Sequence, residues 1–317
     1  MRAVFLDYET VSNGDLSTAS LMDAMPDLEF HGSTDGAQID ARIADAQIVL
    51  LNKFVLTRAH LASARHLKLI GLAATGTDNV DLAAARELGI AVCNVRGYCS
   101  QSVMQQVWAM ILSLNQHISD YCRLARDGSW VRSETFTVLS LPIRELSGMT
   151  FGVVGWGELG RAAAKAAQAF GMRVIIANRP GGATEPGRYA LDELLALSDV
   201  VSLHCPLTAA TRNLIGEREL SLMKPDALII NTARGGLIDG QALAAALKAG
   251  RLGGAGIDVL PQEPPVDGDP LLDPGIPNLL LTPHIAWAAR EARQRCLDEV
   301  AANVRDFLTG GRRARVV

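Results

Sequence analysis

Short apolar runs rich in β-branched residues alternate with Ala-rich segments of helical periodicity along almost the whole chain. In the first part of the chain the pattern predicts strands at Ala3–Leu6, Ile48–Leu51, Leu69–Leu72 and Ile90–Cys93. Helical patterns lie between them at Thr57–Ala64 and Asp81–Leu88, and Gly89 follows as a C-cap. This rhythm is typical of parallel sheets that are covered by helices on both faces.

The second part of the chain repeats the rhythm after a long apolar helix, predicted from Ser100 to about Ile118, and a less periodic segment, Tyr121–Leu146. Strands are predicted at Thr150–Val154, Arg173–Ala177, Val200–His204, Ala227–Asn231, Gly256–Val259 and Leu279–Leu281. The last helix, about Glu291–Leu308, is expected to pack on the first domain. We therefore predict an α/β protein with two doubly wound parallel-sheet domains. A Rossmann domain, residues 99–286, is inserted into a discontinuous flavodoxin-like domain, residues 1–98 and 287–317.

Composition narrows the function classes. The 317 residues carry a net charge of −4 and show no basic face, so nucleic acid is not favoured as a partner. The chain opens with too short an apolar run for a signal peptide, and no stretch reaches the length of a membrane helix. Five scattered cysteines without a CxxC pair predict no zinc site or disulfide framework and favour reduced thiols in a cytoplasm. The basic end, residues 310–315, is expected to be a solvated terminus.

A G-x-G-x-x-G motif occupies residues 155–160, between an apolar strand and an Ala-rich helix. In this context Gly155 permits a tight turn, Gly157 lets a pyrophosphate approach the backbone, and Gly160 lets the helix pack on the strand. The helix N-terminus offers free N–H groups and a positive dipole end to phosphates. The motif therefore predicts a nicotinamide dinucleotide site.

The choice between NAD and NADP stays open. The position expected to carry a ribose-binding acid holds Asn178, and Arg179 follows it. A guanidinium there can pair with a 2′-phosphate. Alternatively, Asn178 hydrogen-bonds the ribose and Arg179 stacks on adenine.

Three ionisable residues follow three late strands: Arg234, Glu263 and His284. Ligands of open α/β sheets bind beyond the carboxyl ends of the strands, so these side chains are expected to converge. Reduction of a ketone needs a proton, which His284 can donate, and a neighbouring Glu263 would favour the imidazolium. Arg234 can hold a substrate carboxylate and polarise the carbonyl. His204 is expected to line the cofactor cleft rather than to transfer protons.

With these motifs the chain resembles the D-isomer-specific 2-hydroxyacid dehydrogenase family, and within it the glycerate dehydrogenase (hydroxypyruvate reductase) group. The matching segments are AATGTDNVDLAAARELGIAVCNV at 73–95, GWGELG at 155–160, SLHCPLTAATRNLI at 202–215, NTARGGLID at 231–239, GAGIDVLPQEPP at 254–265 and NLLLTPHIAW at 278–287. The likeness to the group rests on LNKFVL at 51–56, AATGTDNVD and HIAWAAR at 284–290. Two departures are Gln105, where many relatives have Glu, and Asn178 in place of the usual ribose-binding Asp.

The resemblance implies that Arg234, Glu263 and His284 are the catalytic trio and that amides around Thr75 and Gly76 bind the substrate carboxylate. It implies that Asp258 contacts the nicotinamide amide. The full set of expected cofactor residues is Gly155, Gly157, Glu158, Leu159, Gly160, Asn178, Arg179, His204, Pro206, Thr211, Thr232, Ala233, Arg234, Asp258, His284 and Ala286. It also implies a homodimer through the nucleotide domain, with an arm of residues 121–146 crossing the interface. Trp130 on this arm either reaches the partner's active site or packs locally.

These expectations define a dehydrogenase that exchanges hydride between NAD(P)H and a small 2-keto acid, giving the D-2-hydroxy acid. Hydroxypyruvate or glyoxylate is the predicted substrate, and D-glycerate or glycolate the product. Lys53 favours a small polar substrate because it can reach a hydroxyl or carboxylate, although a solvated strand-end lysine explains it equally well. The alternatives are a bulkier 2-keto acid or, in another class, a nucleotide-sensing binding protein on the same fold.

Overall fold

The structure is a computed structural model, and it describes residues 1–183 and 185–317. It consists of two units. Unit 1 comprises Met1–Cys99 and Trp287–Val317, and unit 2 comprises Ser100–Ala286. Each unit is built on a parallel β-sheet with helices, so the predicted α/β fold class is confirmed. Within the described residues, no helix combines the length and the apolar character needed to cross a lipid bilayer.

Unit 1 holds a five-stranded sheet whose strands are β1 (Ala3–Phe5), β2 (Leu28–Phe30), β3 (Ile48–Leu51), β4 (Leu69–Leu72) and β5 (Ala91–Cys93). Its helices are α1 (Ala19–Ala24), α2 (Ile39–Ile43), α3 (Arg58–Ser63), α4 (Leu82–Glu87) and α11 (Arg290–Leu308). The order β2-β1-β3-β4-β5, with every pair parallel, is that of flavodoxin-like sheets. β3 and β4 are buried along their whole length, and α11 packs on α1 and β4.

Unit 2 holds a six-stranded sheet whose strands are β6 (Thr150–Val154), β7 (Arg173–Ile176), β8 (Val200–Leu203), β9 (Leu228–Asn231), β10 (Gly254–Ile257) and β11 (Leu279–Leu281). Its helices are α5 (Ser100–Asn115), α6 (Ile118–Arg126), α7 (Glu158–Ala169), α8 (Leu191–Leu197), α9 (Glu217–Leu222) and α10 (Gly240–Lys248). The order is β7-β6-β8-β9-β10-β11, and Tyr189 forms a parallel bridge to Ala177 beyond β7. The third strand of a Rossmann sheet is thus reduced here to one residue pair.

Some elements escape the sequence pattern. β2 is only three residues long, and only Leu28 of it is fully buried, so it carries no readable alternation. The long predicted helix ends at Asn115, because His117 takes a left-handed conformation with φ of 48° and separates α5 from α6. No residue of α6 is fully buried, and the predicted long helix did not include it beyond Ile118.

The arginines of the basic end are exposed to solvent, as expected, but the backbone of this end is paired with the sheet rather than free. Arg315 forms an antiparallel bridge to Cys93 at the end of β5. The Val316 N–H donates to the Val92 carbonyl at 2.8 Å, and the Asn94 N–H donates to the Ala314 carbonyl at 3.3 Å. This pairing satisfies backbone groups on the edge strand of the sheet, a gain that composition does not reveal.

Candidate active site

The glycine motif joins β6 to α7, and each of its three glycines has a different environment. Gly155 has a φ of 105°, and a Cβ there would lie 2.5 Å from the His204 carbonyl carbon. A Cβ on Gly160 would lie 2.1 Å from the Gly155 carbonyl oxygen, so close packing requires glycine at that position. A Cβ on Gly157 would meet no atom within 4 Å. The turn therefore leaves open space above Gly157, where another group can approach the backbone.

The N-terminus of α7 suits an anionic group. Gly157 is the N-cap and provides no side-chain acceptor for the first-turn N–H groups. Glu158 and Leu159 open the helix, and the Glu158 carboxylate accepts a hydrogen bond from the Ser100 hydroxyl. Free N–H groups and the positive end of the helix dipole then face the space above Gly157, an arrangement that fits the phosphates of a dinucleotide.

Asn178 and Arg179 follow β7, at the far end of the same edge of the sheet. The Asn178 N–H donates to the Tyr189 carbonyl at 2.8 Å, and its side-chain oxygen accepts from the Glu185 N–H at 2.9 Å. Glu185 in turn pairs with Arg188 at 2.8 Å. Asn178 therefore helps to shape the turn that precedes the Tyr189 bridge, and its predicted ribose contact stays a prediction.

Glu263 and His284 are brought together beyond β10 and β11. The Glu263 Oε2 atom lies 2.5 Å from His284 Nδ1, and Glu263 Oε1 accepts from the Leu260 N–H at 2.9 Å. The two side chains are 32% and 24% exposed, so the pair is shielded but accessible. His284 has a φ of 56°, a left-handed conformation that is uncommon for a residue with a Cβ. A carboxylate held on one ring nitrogen leaves the other nitrogen to exchange a proton.

Arg234 follows β9, the strand next to β10, so the three candidate residues leave neighbouring strands at the same edge. The Arg234 guanidinium donates to the Ala233 carbonyl at 2.8 Å. The Asn231 side chain accepts from the Ala233 N–H and donates to the Arg234 carbonyl, which fixes this strand end. Thr232 between them is 8% exposed, and within the described residues its buried hydroxyl has no hydrogen-bond partner. A bound ligand that hydrogen-bonds to this hydroxyl would satisfy it.

Asp258 was expected at the nicotinamide amide, and the structure gives its carboxylate a definite set of partners. The side chain is fully buried, directly after β10. One oxygen accepts from the Ile285 N–H at 2.9 Å and the Thr282 hydroxyl at 2.5 Å, and the other accepts from the Ala286 N–H at 2.8 Å. The Asp258 carbonyl also accepts from the His284 N–H at 2.8 Å. Asp258 therefore holds the loop that carries His284.

His204 and the loop after it border the glycine turn. Burial lowers the pKa of His204 to about 4, so the ring is neutral, and its Nε2 lies 2.9 Å from the Ser202 hydroxyl. The Thr211 hydroxyl donates to the Pro206 carbonyl at 2.7 Å and fixes the turn that follows. A neutral histidine of this kind fits a wall of a ligand cleft better than a proton donor.

The candidate substrate residues Lys53, Thr75 and Gly76 lie in unit 1, after β3 and β4. The Asp7 carboxylate, 4% exposed, accepts from the N–H groups of residues 52, 53 and 54 at 2.8, 2.6 and 2.8 Å. The Asn94 side chain donates to the Thr75 carbonyl at 2.7 Å. Sequence reasoning missed Asp7 and Asn94 as supports of these loops, although both directly follow predicted strands.

The chain is similar to known proteins over nearly its whole length. The model of the family described as D-isomer specific 2-hydroxyacid dehydrogenase, NAD binding domain, matches residues 108–286. The chain is 41% identical over 309 residues to glycerate dehydrogenase of Methylorubrum extorquens, covering 98% of this chain and 96% of that protein. It is 36% identical to hydroxypyruvate reductase of Blautia hydrogenotrophica, covering 98% of each. The crystal structure of the TT0316 protein from Thermus thermophilus superposes over the full length of both chains, with a TM-score of 0.87 and 34% identity.

Proposed function

The chain belongs to the D-isomer-specific 2-hydroxyacid dehydrogenase family, and we propose that it reduces hydroxypyruvate or glyoxylate to D-glycerate or glycolate with a reduced nicotinamide nucleotide. The observation that carries the proposal is the Glu263–His284 pair, with 2.5 Å between carboxylate and ring, at the same sheet edge as the glycine turn. The names of the two similar enzymes, glycerate dehydrogenase and hydroxypyruvate reductase, support the choice of substrate.

The bound nicotinamide would supply the hydride, and the chain supplies the proton and the charge. We assign His284 as the donor of a proton from Nε2 to the carbonyl oxygen of the substrate, since Nδ1 faces Glu263. Glu263 favours the imidazolium form and fixes the orientation of the ring. Arg234, after the neighbouring strand, is assigned to the substrate carboxylate and carbonyl through its guanidinium fork.

Unit 1 is proposed to contribute further substrate-binding groups. Backbone amides around Thr75 and Gly76 would bind its carboxylate, and the Lys53 ammonium would bind a hydroxyl group such as that of hydroxypyruvate. The support is the rigid attachment of both loops by Asp7 and Asn94. The division of the chain supports naming unit 1 the substrate-binding domain and unit 2 the dinucleotide-binding domain.

The arm of unit 2, residues 121–146, supports the proposal of a homodimer. It exposes Val131, Phe136 and Leu139 at 87%, 91% and 82%, and half of Trp130. Trp130 donates its ring N–H to the Phe136 carbonyl at 2.9 Å, so part of its contact surface lies within the arm. A cluster of apolar side chains this exposed is typical of a surface that a second copy covers.

The free state of all five cysteines is consistent with a cytoplasmic protein.

The test is the initial rate of nicotinamide oxidation with hydroxypyruvate, measured with NADH and with NADPH. We expect turnover with at least one nucleotide, and the ratio of the two rates reports whether Arg179 contacts a 2′-phosphate. His284→Ala should abolish most turnover while leaving nucleotide binding close to that of the parent. Turnover of bulky 2-keto acids alone would replace the substrate assignment. Nucleotide binding without turnover of any 2-keto acid would favour a sensing protein instead.

A further inference from the structure

Unit 1 contains a polar cavity of about 340 Å³ where the basic chain end returns to β5. Four arginines line it, Arg96, Arg312, Arg313 and Arg315, together with a single carboxylate, Glu299. None of these residues belongs to the catalytic, cofactor or substrate residues proposed above. The cavity is therefore separate from the proposed active site.

The charge of the cavity is only partly balanced by the protein. Arg313 pairs with Glu299 at 2.6 Å, and its N–H donates to the Asp306 carboxylate at 2.7 Å. The Arg315 side chain donates to the main-chain oxygen of Val317, the last residue of the chain. In the part of the chain that the structure describes, the guanidinium groups of Arg96 and Arg312 have neither an ion-pair nor a hydrogen-bond partner. Gathering like charges is unfavourable unless an anion offsets them, and this chain has a net charge of −4.

Asn94 also lines the cavity. The residue is 3% exposed, and its buried side-chain oxygen has no hydrogen-bond partner among the described residues. The other polar groups of Asn94 are all engaged: the amide nitrogen donates to the Thr75 carbonyl at 2.7 Å, and the carbonyl accepts from Asn303 at 3.1 Å. A buried acceptor without a donor calls for a water or a ligand hydroxyl to complete it.

We propose that this cavity binds a small molecule that carries at least two anionic groups, phosphate or carboxylate. Guanidinium groups match both of these anions with paired N–H donors, and Arg96 and Arg312 have that capacity available. A volume of 340 Å³ lies at the lower end of the ~300–1,000 Å³ found for small-molecule sites, which restricts the occupant to a compact metabolite. Asn94, one of the residues that line the cavity, also holds the Thr75 loop through its side chain.

Isothermal titration of the full chain with inorganic pyrophosphate and with citrate tests the proposal, at fixed pH and ionic strength, with sodium chloride as the blank. The Arg96→Ser/Arg312→Ser double variant removes the two unpaired guanidinium groups. Its matched control is Arg65→Ser/Arg86→Ser, which removes two other exposed arginines of unit 1 and the same charge. Circular dichroism verifies that both double variants fold.

We expect saturable binding of one equivalent, weakened at least about tenfold in Arg96→Ser/Arg312→Ser and unchanged in the control. Tighter binding of pyrophosphate identifies a phosphate ligand, and tighter binding of citrate a carboxylate ligand. Absence of saturable binding for both anions would overturn the proposal, as would equal weakening in the two double variants, which would indicate general attraction to positive charge. Because the readout is heat of binding, it does not depend on whether the chain reduces hydroxypyruvate.

Discussion

Replacement of Asp258 by Asn is expected to loosen the loop that carries His284, and with it to lower both stability and turnover. The carboxylate is fully buried and accepts from the N–H groups of Ile285 and Ala286 and from the Thr282 hydroxyl. An amide keeps one acceptor oxygen, but its NH₂ group would face a donor at the other position. One buried N–H is then left unsatisfied, and the remaining bonds lose the strength that the charge gives them.

The size of the effect follows from these contacts. Hydrogen bonds to a charged acceptor contribute about 1.5–3 kcal/mol each, and an unsatisfied buried donor costs about 1–3 kcal/mol. Because Asn retains part of the network, we expect a loss of about 2–4 kcal/mol in the free energy of unfolding. A displacement of His284 by about 1 Å would reduce kcat roughly 100-fold.

Urea denaturation of the nucleotide-free protein and initial rates with hydroxypyruvate measure the two effects. Thr282→Val is the control, since it removes one hydroxyl donor from the same carboxylate without leaving a buried N–H unsatisfied, and it should cost about 1.5–3 kcal/mol. If Asp258 served only as a contact for the nicotinamide amide, Asp258→Asn would leave the urea midpoint unchanged and raise only the KM for the nucleotide. That result would refute its assignment as the anchor of the loop.

Four further substitutions test other parts of the molecule. Gly157→Ala should leave the urea midpoint unchanged and weaken nucleotide binding at least about tenfold, because its Cβ meets only open space where the phosphates would lie. Gly160→Ala should instead destabilise the fold, since its Cβ would lie 2.1 Å from a carbonyl oxygen. Urea denaturation and nucleotide titration of both variants separate the two outcomes. Asp7→Asn should raise the KM for the keto acid more than it changes kcat, because Lys53 and its neighbours lose their common acceptor; an unchanged KM in a folded variant would contradict this role. His204 should titrate near pH 4 by NMR, because burial disfavours the charged ring. The contribution of the neutral ring to stability is then complete above the unfolded pKa of about 6.5 and is lost as the pH falls towards 4. His204→Gln should therefore flatten the dependence of the free energy of unfolding on pH between 6.5 and 4.

The sequence predicted the sheets well because buried parallel strands are continuous apolar runs, as in β3 and β6, where every residue is buried. It missed β2 and the bridge at Tyr189 because three residues, or one, carry no period. The proximity of Glu263 and His284 was predictable because both follow neighbouring parallel strands and carry recognisable chemistry. The supporting roles of Asp7 and Asn94 were not predictable, since their partners are mainly backbone groups, which have no signature in the sequence.

Asp7 in unit 1 and Asp258 in unit 2 hold the loops beside them in the same way, by accepting hydrogen bonds from several N–H groups of the loop. Asp7 lies two residues after the end of β1, and Asp258 directly follows β10. Each carboxylate accepts from N–H groups of the loop after the neighbouring strand, β3 for Asp7 and β11 for Asp258. At the carboxyl edge of a parallel sheet, the N–H groups of these loops no longer have carbonyl partners on a neighbouring strand. One carboxylate can accept from two or three of these N–H groups at once. The side chains proposed to touch substrate, Lys53 and His284, then sit on loops whose backbone is fixed by another residue. Substitution of His284 should therefore change turnover with little effect on stability, whereas substitution of either aspartate should also lower the free energy of unfolding.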